Sequence, residues 1–520
     1  MSESNVFSRN LIIITVFAGI LFQFAILCFT DFNWLLLNAI PDDSFYYFET
    51  ARNIIHGCGS SFDCINPANG YHPLWMLMIL PIFYLFSIGG TNDISPIYYT
   101  LVLAIVFSGI TAYTLSRIFS RYTTSKYLIS FAVFLYLFNP HVIYNVLNGL
   151  ETSLVLMLLS LYIFAFIKFS EIQTKRRLLF VGLLGGLLSL ARLDMVIVVA
   201  VSNLWFLYKY GRRGINYFFV SSLASAIIFI SWAIYNFKAF GMYLTSASLT
   251  STFVNHHLTY SDNGGESIFV FVKTVMYMLD RALTQITGET GASTAMLILF
   301  GAGLYFVLYE NLWKKISERN ISPEVFATVG LLALVFVSAG LRWTFRSWYF
   351  IPLLLVEYIF LVWVLERLRE ESLFKTFYFK AIAYTGLTVI FIFSYFVSYQ
   401  RDLKDSQPLQ DIMYEATLWQ NKNLPIGSNI GVFNAGIQAY FSKHSVSNLD
   451  GLINNNASKA LIGGHLWEYI ESQNIDYITD FDSYMTYRYK DFFGEDIFKH
   501  LKKIHTIPGP KDINVYKVIR

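Results

Sequence analysis

The chain has 520 residues, of which 55% are hydrophobic, 18% aromatic and only 14% charged. Soluble domains average about 25% charged residues, so most of this chain must face lipid or other apolar segments rather than water. The net charge of +3 is too small to suggest a nucleic-acid partner, and neither end carries a basic or acidic tail.

The first apolar run, 11–29, leads into Thr30-Asp31-Phe32-Asn33 rather than a small-x-small cleavage site, so it reads as a retained span. A polar segment follows. Pro41-Asp42-Asp43-Ser44 opens a helix with Phe45, Phe48, Ala51 and Ile55 on one face and Glu49, Arg52, Asn53 and His56 on another. That is the pattern of an amphipathic helix lying on a membrane surface. Either aspartate can cap it, but two adjacent carboxylates exceed what one cap needs. The uncommitted one, at a membrane edge beside a like charge, has the raised pKa that suits a general base. Cys58 and Cys64 can close a small disulfide in an oxidising compartment or remain thiols; sequence leaves their connectivity open. Asn69-Gly70-Tyr71-His72-Pro73-Leu74-Trp75 comes next. Tyr71 and Trp75 suit the membrane interface, and His72 can orient a substrate or bind a metal.

Further spans are expected near 97–116, 127–147, 153–167, 178–191, 195–209, 217–235, 294–309, 325–340, 348–365 and 381–398, about eleven in all. Basic clusters at Arg117/Arg121/Lys126, Lys168/Lys175/Arg176/Arg177, Lys209/Arg212/Arg213, Lys314/Lys315/Arg319 and Arg367/Arg369/Lys375 fall in every second connection, which makes those connections cytoplasmic. The segments near 148–152, 192–194, 236–293 and 341–347 are then outside, with the C-terminal region. The run 73–89 is apolar enough to cross, but crossing would put 31–72 on the opposite side from those loops. A re-entrant or surface element is the preferred reading. The first external loop is then 31–96. After about residue 400 short strands (429–433, 476–479, 514–518) alternate with helical stretches (408–421, 457–472), which predicts an α/β domain over 401–520 after a membrane domain over 1–400.

Several external residues can carry chemistry. Glu151, in Asn148-Gly149-Leu150-Glu151-Thr152, shares a side with the aspartates, unless it serves only as a helix cap. Asp43, Glu151 and His72 together offer donors for a divalent metal. Arg192 and Asp194 interrupt a long apolar stretch; they form either a mutually paired turn or a phosphate-binding site. Arg342, Arg346, Trp348 and Tyr349 crowd one outer loop, where arginine suits phosphate and aromatic faces suit sugars. Lys238 and Lys273 are further cationic candidates. There is no P-loop, no GxGxxG opening a helix and no HExxH.

The run from Asp42 to Phe48, then Ala51-Arg52-Asn53-Ile54 and Asn69 to Trp75, resembles the first external loop of bacterial GT-C type glycosyltransferases, the superfamily of protein O-mannosyltransferases and lipid A aminoarabinose transferases. Gly149 to Thr152, Ala191 to Asp194, Tyr235-Asn236, Phe240-Gly241, Trp348-Tyr349-Phe350, Asn434-Ala435-Gly436 and Asn448 to Leu452 match as well. The resemblance implies a polytopic GT-C membrane fold in a bacterial inner membrane, with the active site and C-terminal domain extracytoplasmic. It implies a polyprenyl-phosphate-linked sugar donor, a glycan, lipid or protein acceptor, and displacement with inversion. A first-loop acid acts as base on the acceptor, which maps to Asp42 or Asp43, with Asp43 favoured. Arg192, Arg342 and Arg346 are assigned to the donor phosphate. A divalent metal is left open, because some members use one and others do not. A transporter or flippase of lipid-linked sugars is the alternative. It predicts charges deep in several spans, and here Glu357 stands as an exception among ionisable groups that mostly cluster at the outer edge.

Overall fold

The computed structural model describes residues 3–86, 93–263, 268–283, 312–342, 346–370, the single positions 396, 399 and 407, and 409–520. The expected spans 294–309 and 381–398 lie outside the described residues, apart from position 396. The helices in chain order are α1 (Glu3–Phe29), α2 (Phe32–Asn38), α3 (Asp42–Ile55), α4 (Pro73–Phe86), α5 (Ser95–Phe119), α6 (Lys126–Phe138), α7 (Pro140–Val146), α8 (Thr152–Glu171), α9 (Lys175–Ala191), α10 (Met195–Tyr210), α11 (Arg212–Phe240), α12 (Ser246–Asn263), α13 (Ile268–Leu283), α14 (Leu312–Ser317), α15 (Pro323–Gly340), α16 (Ser347–Phe350) and α17 (Pro352–Glu370).

Among the described residues, five helices are long and apolar enough to cross a bilayer: the Asn10–Phe29 part of α1, then α5, α8, α11 and α15. α6 and α7 add a sixth if their 57° bend lies within one span. The chain is thus a multi-pass helical membrane protein. The expected count of eleven leans on residues outside the described set and on shorter helices such as α10, of 16 residues. The break in the expected 127–147 span has a local cause. Pro140 has no N–H to continue α6 but suits the first position of α7, and the Asn139 side chain accepts from His141 N at 2.8 Å to cap that new start.

Two helices depart from a simple crossing. α4 has 14 residues, about 21 Å of helix, against about 30 Å of hydrocarbon. The described helix is too short to cross on its own. α11 has 29 residues, about 44 Å, so it overshoots the hydrocarbon and carries Asn236 out to the first loop. There Asn69 Nδ2 donates to Asn236 Oδ1 at 3.1 Å.

The expectation that α3 lies on the membrane surface with a wet polar face is corrected. Every residue from Ser44 to Asn53 is buried. The apolar face packs on the helices through Phe48 against Phe83. The polar face packs on the C-terminal unit, where Arg52 Nη1 donates to Tyr440 O at 2.9 Å. Polarity on that face serves a protein partner rather than water.

The C-terminal unit comprises α18 (Gln410–Asn423), β1 (Asn429–Val432), α19 (Gly436–Tyr440), β2 (Ser445–Asn448), α20 (Asn455–Ile462), α21 (Leu466–Ser472), β3 (Tyr477–Phe481), β4 (Leu501–Ile507) and β5 (Ile513–Val518). Its sheet runs β2-β1-β3-β5-β4. β1 is parallel to β2 and β3, while β5 is antiparallel to β3 and β4. One face, with Val432, Ile437 and Tyr440, joins the core of the helical domain; the other packs Leu449, Leu461, Trp467 and Ile478 into a core of its own.

Candidate active site

The site grows from the N-terminus of α3. The chain enters through Pro41, which is the N-cap and makes no side-chain cap bond. Neither aspartate caps α3, contrary to the simplest expectation from sequence. Both occupy its first turn, where the helix dipole favours negative charge. Their carboxylates then diverge. Asp42 accepts from Ile437 N (2.7 Å) and Gly436 N (3.2 Å) of α19. Burial pushes its pKa up to about 7, against the lowering effect of those bonds. The Asp43 carboxylate has no hydrogen-bond partner among the described residues. Its pKa is raised, first by burial and then by Glu151, while Arg346 pulls it down.

Beneath α3 the Gly149 turn brings Glu151 in. Gly149 has φ of 73°, and a Cβ there would sit 2.7 Å from Phe48 Cζ, so a side chain is excluded on both grounds. The turn is held by Trp75 Nε1 donating to Gly149 O (3.0 Å) and by Ser44 Oγ donating to Asn148 O (2.5 Å). Trp75 is fully buried, so its indole serves the fold and not an open site.

Glu151 is the N-cap residue of α8, but its side chain makes no cap bond. Its Oε2 accepts from Tyr47 OH at 3.1 Å, and its Oε1 lies 3.6 Å from His72 Nε2. Tyr47 OH in turn accepts from His72 N at 3.1 Å. Burial raises the Glu151 pKa and lowers that of His72 to about 4, so the imidazole is neutral at pH 7. Leu193 N donates to His72 Nδ1 at 3.4 Å, which places the ring proton on Nε2, facing Glu151. Tyr71 stands on the other side of Tyr47, its hydroxyl 2.5 Å from Ser60 Oγ.

Arg192 is 1% exposed. Its Nε donates to Asp194 Oδ1 (2.8 Å), its Nη1 to Trp348 O (2.8 Å) and its Nη2 to Tyr349 O (2.7 Å). That geometry corresponds to the paired-turn reading, extended into a clamp on the 346–350 segment, and it leaves no open guanidinium face toward solvent. Arg346 is exposed, with its guanidinium 5.7 Å over the Trp348 ring. Arg342 is buried and donates to Thr274 Oγ1 at 3.4 Å. Lys238 and Lys273 are exposed, and no contact among the described residues brings either to the cluster.

A three-donor metal site from Asp43, Glu151 and His72 does not form. Among the described residues no group of three His, Cys, Asp or Glu side chains is arranged to hold a metal ion. The Glu151 and His72 side chains face each other as a pair, and Glu151 acts on Asp43 through charge, without a hydrogen bond between them among the described residues. Cys58 and Cys64 are bridged, with Cα atoms 5.1 Å apart.

Several contributors were not singled out as site residues from sequence. Tyr46 donates to Phe433 O (3.3 Å) and reaches Asp450 Oδ2 at 3.5 Å. Asp450 is buried, accepts from Leu452 N at 2.8 Å, and has its pKa pushed to about 7 by that burial. Arg488 and Asp43 both act electrostatically on it. Gly436 and Asp450 lie within the Asn434-Ala435-Gly436 and Asn448 to Leu452 matches, which was the available signal. Tyr46 and Tyr47 lie within the Asp42 to Phe48 match, with no role of their own readable from sequence.

No curated protein matches the sequence. A family model described as a domain of unknown function, DUF8728, matches residues 401–516. Among solved structures, the chain is similar to the archaeal oligosaccharyltransferase AglB from Archaeoglobus fulgidus in complex with an inhibitory peptide and a dolichol-phosphate. There the TM-score is 0.57 at 14% identity, over 97% of this chain and 73% of that one. It is also similar to ArnT from Cupriavidus metallidurans bound to undecaprenyl phosphate, with TM-score 0.58 at 10% identity, over 96% of this chain and 97% of that one. The apo state of ArnT gives 0.58 at 9% identity, over 99% and 98% of the two chains. The likeness spans both the helical domain and the C-terminal unit, and the chain therefore shares the overall fold of these two solved proteins.

Proposed function

We propose that this protein transfers a sugar from a polyprenyl-phosphate donor to a hydroxyl acceptor outside the cytoplasmic membrane, with Asp43 as general base. The observation that carries this reading is the division of labour within the acidic pair. Asp42 is committed to two backbone N–H groups, while Asp43 is uncommitted, half-buried and faced by the exposed Arg346. The fold likeness supports the donor class, since the similar structures of AglB and ArnT hold dolichol-phosphate and undecaprenyl phosphate.

Asp43 takes the proton of the acceptor hydroxyl as the oxygen bonds to the anomeric carbon. The bond from that carbon to the phosphate oxygen breaks, and the polyprenyl phosphate leaves with the electron pair. Attack opposite the leaving group inverts the centre. Arg346 stabilises the charge that grows on the phosphate, while Arg192 holds the segment bearing Arg346 in place through the Trp348 and Tyr349 carbonyls. His72, Tyr47 and Glu151 form the polar wall beside the base. The bridged cysteines of the first loop and the basic clusters at the opposite connections support an extracytoplasmic site.

The test is complementation of a deletion strain, with surface glycans read by mass spectrometry. Wild type restores the missing sugar and Asp43→Asn does not, at equal protein level. Full restoration by Asp43→Asn removes the assignment.

A further inference from the structure

Successive helix residues project about 100° apart, so the Asp42 and Asp43 carboxylates leave α3 in different directions. Asp42 points at α19 of the C-terminal unit and accepts from Gly436 N and Ile437 N. One α3 contact lies at the other end of α19. Arg52 donates to Tyr440 O at 2.9 Å and stacks 4.4 Å over the Tyr440 ring. α3 therefore grips α19 at both ends, with an acid where backbone N–H groups are free and a base where a carbonyl is free. The approach is close: a Cβ on Gly436 would lie 2.2 Å from Asp42 O and 2.9 Å from its Oδ1. Only glycine fits there without moving the helix pair apart.

We propose that Asp42 is a positioning residue, which latches the C-terminal unit to the first turn of α3 and thereby sets where the Asp43 carboxylate points. This rests on the reading of Asp43 as the base. The two residues share one rigid turn, so any rotation of α3 that relaxes the grip on α19 also swings Asp43. A misplacement of about 1 Å at a reacting group costs on the order of 100-fold in rate. In this arrangement the C-terminal unit takes part in catalysis without supplying the base. Its docking sets the geometry of a residue in the membrane domain.

The experiment uses the full chain in detergent for hydrogen exchange. Membranes from the source cells, with their own lipid-linked donors, are used for transfer, with products read by mass spectrometry. Asp42→Ala removes both acceptors; Gly436→Ala forces the helices apart without touching a charge. Each is expected to speed amide exchange at 436–437 by at least about tenfold and to slow transfer by about 10- to 100-fold. The double variant is expected to be no slower than the slower single one, because both break the same latch. Asp43→Asn is expected to abolish transfer with wild-type exchange at 436–437. Faster exchange with wild-type transfer in Asp42→Ala overturns the proposal. So does slowed transfer with wild-type exchange, which would put Asp42 in the chemistry itself, or an additive double variant. Transfer retained by Asp43→Asn overturns the base assignment instead, and is distinguishable from each of these.

Discussion

Arg192 gives the sharpest energetic prediction outside the base. Its guanidinium is 1% exposed and bridges Asp194 with the carbonyls of Trp348 and Tyr349 at 2.7–2.8 Å. Arg192→Met removes the cation and leaves a carboxylate that is itself only 7% exposed. Breaking a buried pair in this way costs about 3–5 kcal/mol. Arg192→Lys keeps the charge but has no fork, so it cannot span three acceptors. Each carbonyl left bare costs about 1–3 kcal/mol. Even the milder variant is therefore expected to loosen the segment that carries Arg346, and a cost of about 3 kcal/mol is more than a 100-fold rise in its opening constant. Thermal unfolding in detergent reads the global loss, expected to be larger for Met. Hydrogen exchange at 347–349 reads the local one, expected in both. A lysine variant with wild-type exchange at 347–349 would show that the carbonyl bridges do not hold that segment.

Burial and Glu151 raise the Asp43 pKa, and a general base acts as the carboxylate. Transfer should therefore fall as pH drops through a midpoint above the ordinary aspartate range, and an acid limb near pH 4 would contradict that environment. Replacing Cys58 and Cys64 together by serine should lower stability by about 2 kcal/mol for so short a loop, read as a lower melting temperature that wild type reproduces only with reductant. Ile426→Cys, on a fully exposed residue of the C-terminal unit, should react with a membrane-impermeant maleimide added to intact cells; labelling only after lysis would reverse the orientation.

The parts of the fold that show in sequence are those set by long-range composition. The apolar stretches of α1, α5, α8, α11 and α15 are each 18 residues or longer, about the length a crossing needs, so periodicity was not required to find them. What escaped has local causes. β2 is Ser-Val-Ser-Asn, with too few apolar residues to alternate, and it forms because β1 beside it supplies the ladder. β4 carries Lys502, Lys503 and His505 at an edge of the sheet, where charge is protective but disguises a strand. The break between α20 and α21 falls at Gly463-Gly464 inside what reads as one helix. The polar face of α3 was misread for a more general reason. A sequence pattern shows that a face is polar, but not whether water or another part of the same chain covers it.

The same limit governed the acidic pair. Adjacent carboxylates at a helix start are indistinguishable by composition. The partner that separates them, Gly436-Ile437, lies 394 and 395 residues away. Once that partner is seen, the convergence of remote connections acquires meaning. Tyr47 meets Glu151, His72 meets Leu193, Arg192 meets Trp348 and Tyr349, and Asp42 meets Ile437. These contacts put the first loop, three short connections and the C-terminal unit at the same end of the helix bundle. The connections between them, at the opposite ends, carry the basic clusters. Charge asymmetry alone assigns a side to each loop, and contact alone groups loops without naming a side. Together they make a single choice: either the whole cluster with its disulfide faces outward, or every basic connection violates the charge rule at once.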